Sequence, residues 1–89
     1  MKILEIHPSR IPDLGFVRVV ATFDIELNDS VRLYALKLME APDGRRFVYA
    51  PQAGSRRTAT FARPLAEEIT SAANEQLKAV TANGTHSKN

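Results

Sequence analysis

Between positions 16 and 27 apolar and polar residues alternate, with Val17, Val19, Ala21, Phe23, Ile25 and Leu27 in one set and Arg18, Thr22, Asp24 and Glu26 in the other. A period of two predicts a strand with one buried face. Asn28, Asp29 and Ser30 follow, residue types that suit a tight turn, so a hairpin is predicted. The returning run, Val31 to Glu40, opens in one phase with Val31, Leu33 and Ala35, then changes to Leu36 and Leu38 and leaves Lys37 in the old inward set. A regular strand would turn its apolar set outward at such a change, and the pattern therefore predicts a bulge near Ala35.

Pro42, Asp43 and Gly44 mark a second turn, and Arg45 to Ala50 returns as a short aromatic strand through Phe47, Val48 and Tyr49. A short opening strand, Lys2 to Ile6, precedes the hairpin and ends at His7 and Pro8. Gln52 to Arg57 has no periodicity and reads as a basic loop at a sheet edge, followed by a brief extended segment, Thr58 to Ala62. Pro64 suits a first helical turn, where its missing N–H costs nothing, and Glu67 and Glu68 are expected near the positive end of the helix dipole. Leu65, Ile69, Ala72, Ala73, Gln76, Leu77 and Val80 recur at spacings of three and four against a polar face of Glu68, Ser71, Glu75 and Lys78. The expected fold is α+β: an antiparallel sheet of four or five strands with a long hairpin and one C-terminal helix packed on it. Residues 1–81 form the single domain, and 82–89 read as a disordered polar tail.

The strand from Phe16 to Leu27 is long for a chain of 89 residues. Twelve residues span about 40 Å at roughly 3.3 Å each, whereas strands usually run five or six residues. One helix covers only part of such a hairpin, so a homodimer built through the sheet is expected; a strongly bent strand closing a small barrel is the alternative. A chain this short also buries only roughly 60 to 65% of its extended surface, which makes support from a partner subunit more useful.

With no cysteine, a disulfide framework and thiolate zinc sites are excluded, and a reducing, cytoplasmic setting is expected. Met1 to Pro8 has no apolar run of signal-peptide length, and no stretch of about 20 apolar residues occurs, so no membrane association is expected. His7 and His86 are the only histidines and have no second ligand at a metal-binding spacing. Asp24 and Glu26 share a strand face but read as solvated carboxylates, and no phosphate loop or nucleophile with a nearby base is present. Neither an enzyme nor a cofactor nor a metal is expected.

Charge changes the picture more. The formal net charge is +2, but residues 30–63 hold seven Lys and Arg against two Asp and Glu, and six of the seven bases are Arg. The planar guanidinium suits bidentate contacts with phosphate. An alternative use for Arg56 and Arg57 is to guard a sheet edge against aggregation. Tyr34 and Tyr49, with Phe16, Phe47 and Phe61, offer aromatic surface for stacking bases if exposed near the arginines. Alternation marks Phe23 and Phe61 for the core and leaves both tyrosines open.

The order of these features resembles the SpoVG-like septation regulators. The residues carrying the likeness are Val31 to Leu38 with the turn Pro42, Asp43, Gly44; then Phe47, Val48, Tyr49, Ala50, Pro51, similar to the family's Phe-Val-Ala-Met-Pro; then Arg56, Arg57, Thr58; and Phe61, Ala62, Arg63, Pro64, Leu65, similar to its Ile-Ala-His-Pro-Ile. The likeness runs from about residue 2 to residue 80. Gln52 to Ser55 stand where family members usually have Ser-Lys-Arg directly after the proline, and Arg63 replaces the family's histidine. The resemblance implies a homodimeric regulator of septation or developmental gene expression that binds DNA, and RNA as well. Its basic residues after the aromatic strand match Arg56 and Arg57, and Arg45, Arg46 and Arg63 are expected to support them. An adaptor of the division machinery, engaging a protein partner by strand addition at the sheet edge, is the competing expectation.

Overall fold

Alternation of apolar and polar side chains lets each of the first four strands bury one face, and the four pair in chain order. The computed structural model describes residues 1–9 and 17–87, with side chains described as far as Thr81. Arg10 to Phe16 and the last two residues lie outside it, so the expectation for Phe16 does too. The strands are β1 (Lys2–Pro8), β2 (Arg18–Asn28), β3 (Val31–Glu40) and β4 (Arg46–Tyr49), in an antiparallel sheet of order β1-β2-β3-β4. The remaining elements are β5 (Gln52–Ala53), β6 (Arg56–Arg57) and α1 (Arg63–Ser87). The architecture is α+β, as the pattern predicts, with a second two-stranded sheet of β5 and β6.

The inward positions of the sheet are Ile6, Ala21, Phe23, Ile25, Leu36, Leu38 and Val48, and they form one buried cluster with Ile69, Ala73 and Leu77 of α1. Burying a side chain of Leu, Ile or Phe size contributes about 1.5–3 kcal/mol, so this cluster is the main cohesive element. Leu65, Ala66 and Val80 pack partly against it, while Gln76, expected in the apolar stripe, is exposed. At that position the stripe is narrower than the heptad-like pattern suggests. Toward the β2–β3 turn burial declines: Leu27 and Leu33 are half-buried and Val31 is exposed.

The hairpin is irregular by design of its register. Opposite Asp24, β3 has the two residues Tyr34 and Ala35, because Phe23 faces Leu36 while Ile25 faces Leu33. This is the bulge the phase change predicts. Ala35 adopts a φ of 60°, a left-handed conformation that a Cβ disfavours, and its N–H donates to Asp24 Oδ1 at 2.8 Å. Two further offsets place an extra residue on β2, Val20 near one end and Leu27 near the other. At the turn, the Ser30 N–H donates to Asn28 Oδ1 at 2.8 Å, an Asx turn that closes the hairpin locally.

Four sequence expectations change. β1 extends two residues past Ile6 to Pro8. Gln52 to Arg57 is a small hairpin and not an aperiodic loop: Gln52 pairs with Arg57 and Ala53 with Arg56 around Gly54, whose φ is 65°. Positive φ at the first central residue alone is the pattern of a type II′ turn, which Gly permits. Thr58 to Ala62 carries no strand. α1 begins at Arg63, with the Ala66 N–H donating to the Ala62 carbonyl at 2.9 Å, so Pro64 sits in the first turn as expected. Glu67 and Glu68 consequently fall beyond that turn, which has no acidic residue. Among the described residues no helix is long and apolar enough to cross a membrane.

Candidate nucleic-acid interface

Ion pairing divides the basic side chains into two groups. Glu40 accepts from Arg18 at 2.6 and 2.9 Å and from Arg46 at 3.0 Å. Arg46 also donates to Asn74 Oδ1 on α1 at 2.9 Å, so this cluster ties β2, β3 and β4 to the helix. The two guanidiniums hold the Glu40 carboxyl below the usual carboxylate range, first by their hydrogen bonds and then by charge. Arg32 pairs with Glu26 at 3.3 Å, Arg63 with Glu67 at 3.3 Å and Lys78 with Glu75 at 3.5 Å. Among the described residues Lys2, Lys37, Arg45, Arg56 and Arg57 make no ion pair.

The five arginines expected to meet polyanions are thus not equivalent. Arg46 is committed to Glu40 and Asn74. Arg63 pairs with Glu67 on the helix surface, both side chains well exposed, and such pairs are worth only about 0.3–0.5 kcal/mol. Arg45 is exposed beside a turn in which its N–H donates to Asp43 Oδ1 at 2.9 Å and Gly44 takes a φ of 90°. Arg56 and Arg57 are exposed on β6, where adjacent residues of a strand project to opposite faces.

Arg57 and its pairing partner Gln52 line a groove of about 730 Å³ running beside β4, and Arg56 is not among its lining residues. Lys37 and Tyr49, partners in the β3–β4 register on the outer sheet face, line it as well, as do the core residue Val48 and Ala66 of α1. Tyr49 is 56% exposed, and its ring meets that of Phe47 edge-on at 5.4 Å between centroids and 72° between planes. Phe61, expected in the core, is only half-buried and lines the same groove while packing against the core. Among the described residues the groove's lining has two cations and no carboxylate. Thr58 Oγ1 donates to the Pro51 carbonyl at 2.5 Å and closes the base of the small hairpin, which sets where Arg57 stands.

Lys37 is the groove residue that sequence reasoning did not single out. Its signal was the phase change itself: once the bulge turns Leu36 and Leu38 inward, Lys37 must lie on the outer face beside whatever β4 places opposite. The second tyrosine, Tyr34, is also open, 59% exposed within the bulge, but is not a groove residue. His7 Nε2 lies 2.7 Å from Glu5 Oε1 on β1, an exposed pair.

Comparison of the chain with protein-family models, with curated proteins and with solved structures finds no match in any of the three.

Proposed function

We propose that this chain is a nucleic-acid-binding regulator of the SpoVG-like kind, gripping DNA, and RNA as well, through Arg57 and Arg56 with support from Arg45. Septation or developmental gene expression is the process that the resemblance implies, and a homodimer through the sheet is the proposed assembly. The observation that carries the binding reading is the groove whose Lys37 and Arg57 have no acidic counterpart among the described residues, where half of the bases are already paired. Uncompensated guanidiniums and ammoniums on one surface attract polyanions and release their counterions on contact.

Gel shifts with mixed-sequence DNA at two salt concentrations test the reading. Affinity falls steeply with salt, and the Arg56→Ala, Arg57→Ala double variant binds more weakly with a salt slope shallower by about 1 to 2, as expected for one lost phosphate contact per guanidinium. Unchanged affinity and slope in the double variant remove the hairpin from the interface. Absence of any shift at low salt, together with a stable protein complex in a pull-down, favours the adaptor reading instead.

A further inference from the structure

We infer that the groove beside β4 is a single-strand site, in which one unstacked base lies on Tyr49 while Lys37 and Arg57 hold the flanking phosphates. The inference rests on the nucleic-acid reading above and narrows it to a class of ligand. Its size is the first argument: about 730 Å³ falls within the roughly 300–1,000 Å³ of pockets that enclose small ligands, room for a splayed nucleotide. Aromatic chemistry is the second. Tyr49 is open to solvent and its ring is steadied by the edge contact with Phe47, so it presents a fixed platform. In a duplex the faces of the bases are already stacked, and only an unpaired base is free to lie on a side-chain ring.

The charges fit the same occupant. Lys37 is the register partner of Tyr49, and Arg57 of the β5–β6 hairpin lines the same groove, so two cations share it with the aromatic ring. A base on the ring therefore has its backbone phosphates within the field of both cations. A protein ligand would bring apolar or acidic side chains to such a site, but nothing there demands a carboxylate over a phosphate, and the stacking surface adds energy only for a planar group. Arg56, projecting from the other side of the hairpin, takes no part in this site.

The test uses the full chain and one labelled mixed-sequence oligonucleotide in three forms: single-stranded DNA, single-stranded RNA, and the DNA annealed to its complement. Fluorescence anisotropy is expected to give at least about tenfold tighter binding of one or both single strands than of the duplex. Tyr49→Ala is expected to weaken single-strand binding by about tenfold, and Tyr49→Phe to stay within about twofold, because stacking needs the ring and not the hydroxyl. With no tryptophan present, quenching of tyrosine fluorescence reports the stack directly, and Tyr49→Ala abolishes most of it. Lys37→Gln, at another exposed position, provides a second variant and is expected to lower single-strand affinity several-fold. Duplex binding equal to or tighter than single-strand binding, or Tyr49→Ala indistinguishable from the parent chain, overturns the inference; if the Arg56, Arg57 double variant still loses binding in that case, the broader reading survives. No binding of any of the three forms ends both.

Discussion

Ala35 occupies a conformation that its own side chain opposes. A left-handed φ costs an L-residue roughly 1–2 kcal/mol relative to glycine, and here the penalty is met by the Asp24 carboxylate accepting the Ala35 N–H. Ala35→Gly is therefore expected to stabilise the fold by about 0.5–1 kcal/mol, after allowing for the larger entropy that glycine loses on folding. Urea unfolding midpoints check this, with an unchanged or lower midpoint counting against a strained bulge. The position of the bulge was readable because the apolar phase of β3 changes there. What Asp24 does was not readable: a carboxylate on an outward strand face looks solvated until the partner strand's extra residue is placed against it.

Glu40 joins elements, where Asp24 serves one backbone N–H. It links β2 to β4, and through Arg46 and Asn74 it links the sheet to α1. Because its folded-state pKa lies below the unfolded value, its stabilisation is present in full above the ordinary carboxylate pKa of about 4.3 and is lost as pH falls through the lowered folded value. Glu40→Gln is thus expected to lower Tm by a few degrees at neutral pH, and the difference from the parent chain should shrink as melts are repeated toward pH 3. A gap that stays constant with pH would mean that packing and not charge is responsible. Strands and helix were legible at this scale wherever the period had several turns or pleats to establish itself. The β5–β6 hairpin was not, since two-residue strands carry no period; the Gly54, Ser55 dipeptide was its only mark. The groove was hidden for a related reason: Lys37 and Arg57 come together only through the β3–β4 register and the fold-back of that hairpin.

For the whole molecule, shape argues in the same direction as strand length. The Cα radius of gyration is 13.4 Å, against about 12 Å for a compact chain of this size, and the longest extent is 41 Å. Burial declines along β2 and β3 toward their turn, and β1 leaves a lateral edge at the end of the sheet opposite β4 and its groove. These are the surfaces a second copy would cover in the proposed homodimer. Sedimentation equilibrium at tens of micromolar is expected to return twice the 9.9 kDa chain mass; a monomer across that range counts against assembly through the sheet.

The bulge in β3 decides on which side of the sheet Lys37 falls. Were the same residues to run as a regular strand, the phase of Leu33 would send Lys37 among the apolar side chains beneath the helix and hand Leu36 and Leu38 to water. The ammonium that faces Tyr49 thus owes its place to a backbone irregularity rather than to a polar residue written at a polar position. Deleting Ala35 would leave an unbroken alternation with Leu33, Leu36 and Leu38 still inward and Lys37 still outward, so the bulge is how the strand absorbs a surplus residue without exchanging the sheet's two faces.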